Sequence, residues 1–160
     1  MTTRKVGILI FPEVEVLDFC GPFEVFSTTR LDEGRRREEP SPYEVVLVAE
    51  NPAVVVATGG LKVVPDLDLG NCPSLDVLVV PGGWGTRREM ANDRLIDWIA
   101  ERPKQVSTLA SVCTGSLLLA KAGLLVGRRA TTHWKVLDEM RGCSRTSPSW
   151  TMSTSSRMGT

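Results

Sequence analysis

Short runs of continuously apolar, β-branched sequence alternate along this chain with segments of helical periodicity, and that alternation constrains the fold more than any other feature. Lys5 to Phe11 reads KVGILIF and Asp76 to Gly83 reads DVLVVPGG, with no polar residue on either face of the apolar stretch. A strand solvated on one face would alternate polar and apolar residues, so these runs predict strands buried on both faces, as in a parallel sheet. Tyr43 to Ala49 and Gln105 to Val112 are further strands. AVVVA and LKVV around Thr58-Gly59-Gly60 read as a hairpin. Between the strands, Phe19, Phe23 and Phe26 mark a helix that begins near Asp18, with Pro22 in its first turn. Leu95, Trp98 and Ile99 mark a helix from Arg87 to Arg102, which Pro103 ends. Thr114 to Ala122 is helical, and a short strand at Arg128 to Thr132 and a helix at Lys135 to Met140 follow. Strands alternating with helices imply an α/β fold with a mostly parallel sheet covered on both faces. Ligands in such sheets bind at the carboxyl ends of the strands. The segments Glu13 to Gly21, Gly82-Gly83 and Cys113-Thr114-Gly115 fall there.

With 160 residues the chain is about one ordinary domain, so a function needing two requires a partner or a second copy. Nineteen basic residues balance nineteen acidic ones. A neutral chain has no overall field to collect phosphates or an anionic bilayer, and no local basic patch dominates; nucleic acid and membrane are therefore not expected partners. Arg35 to Arg37 are answered at once by Glu38 and Glu39, which makes Leu31 to Pro42 a solvated loop. Cys20, Cys72, Cys113 and Cys143 are scattered without a CxxC pair, the start of the chain lacks a signal-peptide pattern, and no apolar run is long enough to span a bilayer. The expectation is a reduced, cytoplasmic protein.

Cys113 stands where an extended segment turns directly into a helix. Its sulfur would project at the top of the sheet, where the helix N-terminus lowers a thiol's pKa and favours the nucleophilic thiolate. Gly115 permits the sharp turn of a nucleophile elbow. The alternative is a small buried hydrophobe, a common role for free cysteine. Asp18 follows the first strand and could face the same crevice, where desolvation would make its carboxylate a proton carrier for the thiol; it could instead cap the helix that starts there. Glu13, Glu15 and Glu24 are weaker candidates, in a turn or on an exposed helical face. The N–H groups of Gly82 and Gly83, with that of Thr114, could form an anion hole facing Cys113. His133, the lone histidine, could complete a Cys/His dyad or be a structural histidine bonded to backbone. The Thr114 hydroxyl could bond a water, the carboxylate or substrate. The other three cysteines have no comparable setting.

Taken together, FPEVEVLDFCGPFEVF, VVPGGWGTR and SVCTGSLLLAKAGLLVGRRATTHW resemble the PfpI-like family of the class I glutamine amidotransferase-like superfamily, in order from Val6 to about Met140. The resemblance implies a flavodoxin-like three-layer α/β sandwich, a homodimer, and a cysteine nucleophile on a strained elbow. Carried over, Cys113 is the nucleophile, Asp18 the acid/base carboxylate and Thr114 a residue needed beside the cysteine. Within the family the likeness is to isonitrile-hydrating lyases, which implies a small-molecule substrate and no metal or organic cofactor. Relatives with peptidase, deglycase or glyoxalase chemistry commonly carry histidine after the cysteine; Thr114 here argues against a Cys-His protease mechanism. Regulators of the AraC type share nearly the same blocks in an N-terminal ligand-sensing or dimerisation domain, ahead of a helix-turn-helix that this chain lacks.

Residues 1–141 read as the family domain, incomplete at its C-terminus, and 142–160 as a disordered or frame-altered tail. RGCSRTSPSWTMSTSSRMGT is rich in Ser and Thr and has no strand or helix period. The family places a β-ribbon ending in Asp-Gly there, then a long helix. A reading-frame change after Met140 would account for the difference. Read one base earlier, the unique codons of Trp150 and Met158 make Thr151 an Asp and keep Gly159, and free codon choice elsewhere allows VFPDVTVVDDEHVVQDGD. Loss of a sheet-covering helix predicts poor solubility and a compromised fold for this chain.

Overall fold

The computed structural model describes residues 3–142 and Thr151–Met152. Its centre is β1 (Arg4–Leu9), paired in parallel with β2 (Tyr43–Ala49) on one side and, further along the chain, with β6 (Val77–Val80) on the other. Ile8, for example, stands between Leu47 and Val79. Both flanks are occupied and both faces covered, so Val6, Ile8 and Leu9 are fully buried. That burial is why the run carries no polar alternation.

The hairpin is present as β3 (Val55–Val56) and β4 (Lys62–Val63), antiparallel, with Gly59 and Gly60 at positive φ in the turn. A two-residue strand, β5 (Leu67–Asp68), joins the edge of β2, and β7 (Thr108–Ser111) joins β6. The sheet order is β5-β2-β1-β6-β7, all parallel. From β1 the chain travels outward to β2 and β5, then returns to the other side of β1 and continues through β6 to β7. Right-handed crossovers in opposite directions place helices on opposite faces. The result is the flavodoxin-like α/β sandwich that the alternation predicts. The reversal of direction leaves a crevice between the carboxyl ends of β1 and β6.

Helix α1 (Val16–Thr28) packs on β1 and β2. It starts before Asp18, so Pro22 lies inside it rather than in its first turn. With no N–H on Pro22, the Asp18 carbonyl loses the donor it would have had in a regular helix. Beyond β6, the expected single helix from Arg87 is two: α2 (Thr86–Glu89) and α3 (Asp93–Glu101). The break is made by Asn92, whose side chain accepts a hydrogen bond from the Leu95 N–H and caps α3. Leu95, Ile96 and Ile99 of α3 face the core. After β7 comes α4 (Gly115–Lys121), whose Leu117 and Leu118 are fully buried. The chain continues through β8 (Arg129–Ala130) to α5 (Leu137–Gly142). Thr151–Met152 form β9, which pairs in parallel with β8. Apart from Gly142 and β9, the segment 142–160 for which disorder or a frame change is expected lies outside the described residues. So does Cys143.

Candidate active site

Three strand ends converge at the crevice. Cys113 ends the extended segment of β7 and precedes α4, and its φ is +51°. A left-handed conformation costs a side-chain-bearing residue of the order of 1–3 kcal/mol. Surrounding bonds hold it there. The Val112 N–H donates to the Val80 carbonyl at 3.0 Å, and the Gly115 N–H donates to the Val112 carbonyl at 2.9 Å, closing the elbow. The Cys113 carbonyl accepts from the Ser116 hydroxyl at 3.1 Å and from the Thr132 hydroxyl at 3.2 Å.

Asp18 is buried, in the first turn of α1. The N-cap is Glu15, and the Asp18 carboxylate instead accepts the Gly82 N–H at 3.0 Å across the crevice. Of the two readings of this residue, the crevice one matches its placement. The Asp18 carboxyl lies beside the Cys113 thiol, and its pKa is raised, first by burial and then by the Glu15 charge. The Gly82 amide, the thiol and the His133 charge oppose that rise without cancelling it.

The Cys113 thiol is also pushed up, which reverses the lowering expected from its place before a helix. Burial is the largest cause, and the negative charges of Asp18 and Glu15 add to it. The Thr114 backbone and hydroxyl bonds lower it, as the helix start was expected to do, but desolvation outweighs them. Burial thus disfavours the charged form of both groups.

The Gly82 and Gly83 amides, expected to form an anion hole, have partners of their own. The Gly82 amide is committed to Asp18, and the Gly83 amide donates to the Thr114 hydroxyl at 3.0 Å. These N–H groups orient the acid and the threonine instead of pointing at open space. The turn can do so because it has no side chains: a Cβ at Gly82 would lie 2.6 Å from the Thr114 nitrogen, and Gly83 adopts φ +126°. Thr86 of α2 completes the cluster, donating to the Gly83 carbonyl at 2.8 Å.

A cleft of about 230 Å³ opens over Cys113 and Thr114, walled by Glu15, Trp84, Arg87, His133 and Lys135. His133 is the histidine bonded to backbone, its Nδ1 accepting the Lys135 N–H at 3.3 Å, and it also lines the cleft. Arg87 lies over the Trp84 ring, 4.7 Å from its centroid, and pairs with Glu139 of α5 at 2.8 Å. Glu15 belongs to the site, whereas Glu13 and Glu24 are exposed, Glu13 contributing backbone at φ +62°. Cys20 and Cys72 are free, half-buried thiols outside the cleft. Sequence reading missed Thr86, Arg87, Lys135 and Thr132. Thr132 and Lys135 sit beside the only histidine, a position that could have marked them.

The sequence profile of the DJ-1/PfpI family matches residues 4–151. The chain is 38% identical over 134 residues to the isonitrile hydratase of Pseudomonas putida, covering 84% of this chain and 54% of that protein. It thus spans about half the length of that relative. It is 30% identical over 136 residues to the HTH-type transcriptional regulator CdhR of Pseudomonas aeruginosa, covering 85% of this chain and 38% of the regulator. Among solved structures, a ThiJ/PfpI family protein from Pseudomonas syringae superposes with a TM-score of 0.79 at 31% identity, over 98% of this chain and 59% of that one.

Proposed function

The chain belongs to the DJ-1/PfpI family, and we propose that within it the protein is a cysteine-dependent lyase that hydrates an isonitrile to an N-substituted formamide. The observation that carries this reading is Cys113 on a left-handed elbow with the buried Asp18 carboxyl beside it, and threonine rather than histidine next in the chain. An isonitrile has an electrophilic terminal carbon that must gain both a nucleophile and a proton. The Cys113 thiolate attacks that carbon while the Asp18 carboxyl gives it a proton, forming the thioimidate R–N=CH–S–Cys113. Water then adds to the same carbon, Asp18 taking one of its protons. Collapse of the adduct expels the sulfur, which recovers that proton, the second water proton passes from the oxygen to the nitrogen, and R–NH–CHO is released. The sum is isonitrile plus water, and the steps as written use no metal or organic cofactor. Thr114 holds the Gly83 amide through its hydroxyl, and its N–H favours the ionised sulfur.

A cytoplasmic homodimer belongs to the same reading. Leu17 and Val25 of α1, both largely exposed, supply apolar surface for a second copy. The match to CdhR favours one other role, a ligand-sensing or dimerisation domain of an AraC-type regulator. Incubation with a simple aryl or alkyl isonitrile separates the two, with formamide quantified by mass spectrometry. The enzyme reading expects formamide from the wild type and none from Cys113→Ala. Unchanged turnover in Cys113→Ala overturns the nucleophile, and ligand binding with no turnover in either supports the sensor.

A further inference from the structure

We propose that Thr132 is a positioning residue: its hydroxyl, by holding the Cys113 carbonyl, aims the Thr114 N–H at the Cys113 sulfur. The Cys113 carbonyl and the Thr114 N–H belong to one planar peptide unit and point in opposite directions across it. Fixing the oxygen therefore fixes the hydrogen. Two hydroxyls take that oxygen, from Ser116 at 3.1 Å and from Thr132 at 3.2 Å. Ser116 rides on α4 in the same turn and moves with the elbow. Thr132 lies 19 residues further on, after β8, and ties the peptide to a separate segment. At the other end of the unit, the Thr114 N–H favours the ionised form of the sulfur. The segment that carries Thr132 continues into His133, Lys135 and Val136, which line the cleft. One hydrogen bond thus ties the substrate wall to the orientation of the nucleophile's peptide.

The inference rests on Cys113 being a nucleophile, but not on what it attacks. Its test is the rate of Cys113 alkylation by iodoacetamide against pH, read by peptide mass spectrometry that separates this thiol from the other cysteines. Thr132→Val keeps the shape and removes the donor; Thr132→Ser keeps the donor. The charged groups around the sulfur, Asp18 and Glu15 below it and Arg87, His133 and Lys135 across the cleft, are the same in every variant. Thr132→Val is expected to move the alkylation midpoint to higher pH and slow the reaction at neutral pH by about threefold or more, with Thr132→Ser close to wild type. A wild-type profile in Thr132→Val overturns the proposal, and so does an equal loss in Thr132→Ser, which would mean that packing matters and the hydroxyl does not. Should Thr132→Val not fold, the same comparison is made between Thr132→Ala and Thr132→Ser. A wild-type Cys113 that shows no thiolate-type pH profile would instead remove the nucleophile reading itself.

Discussion

Replacing Asp18 by Asn should make the thiol more acidic and the proposed hydration slower at once, a pairing that few other substitutions would produce. The new side chain can keep the structural bond, because its carbonyl oxygen can accept the Gly82 N–H that the carboxylate now accepts at 3.0 Å. What disappears is the negative charge and the carried proton. The Asp18 charge is one of the causes that raise the Cys113 pKa, so its removal shifts thiol titration downward, measurable as faster iodoacetamide alkylation at neutral pH. Loss of the general acid should cut isonitrile hydration by about 10²–10⁴-fold, a barrier increase of about 2.7–5.5 kcal/mol. The proposed mechanism needs one proton in the pair, so wild-type kcat/KM should be bell-shaped. Both pKa values are raised, so its acid limb lies above the ordinary carboxylate range and its alkaline limb above the ordinary thiol range. Stability follows the same sign. The folded protein binds the Asp18 proton more tightly than the unfolded chain does, so stability falls as pH rises from the ordinary carboxylate value through the raised one. Asn has no such loss, and the variant should melt a few °C higher near pH 7. Hydration within tenfold of wild type would take Asp18 out of the proton path. A thiol that became less acidic would refute the electrostatic argument.

Two further substitutions test the frame around the pair. Gly82→Ala would put a methyl group 2.6 Å from the Thr114 nitrogen and hydroxyl and 2.9 Å from an Asp18 oxygen. The expected cost is about 1–3 kcal/mol in urea unfolding with about a 100-fold loss of kcat/KM, and a variant with wild-type turnover would show that the turn has room to yield. Leu118→Ala, in the fully buried face of α4, should destabilise by about 2.7–5 kcal/mol in the same unfolding assay; a loss under about 1 kcal/mol would mean that α4 is not close-packed behind the elbow.

The central strands were legible because burial on both faces leaves a mark in one dimension: Ile8 and Val79 have no solvent side, and their neighbours in sequence are apolar too. Edge strand β5 has only two residues, too short for any period. The break between α2 and α3 depends on one side-chain cap at Asn92, which hydrophobic spacing does not register. At the site, the residue types at positions 18, 113 and 114 and the turn ahead of a helix identified the cluster. Its electrostatics did not follow, because the balance between helix-start bonding and desolvation depends on how deeply the sulfur sits and on Asp18 lying against it. The commitment of the Gly82 and Gly83 amides and the reach of Thr132 to the elbow both join distant segments, 64 residues apart for the Gly82 bond. No local pattern records such a pairing.

The turn after β6 holds Asp18 and Thr114 through main-chain groups alone, and its backbone is bridged to the loop before α1 between Gly83 and Val14. Amid these glycines stands Trp84, largely exposed and reaching into the cleft wall. Evolution therefore meets two very different kinds of position side by side. A side chain at either glycine would press on the groups around Asp18 and Thr114, whereas a single codon change at 84 alters the cleft wall and leaves those bonds untouched. The shape of the cleft wall is open to single substitutions, and the frame beneath it is not.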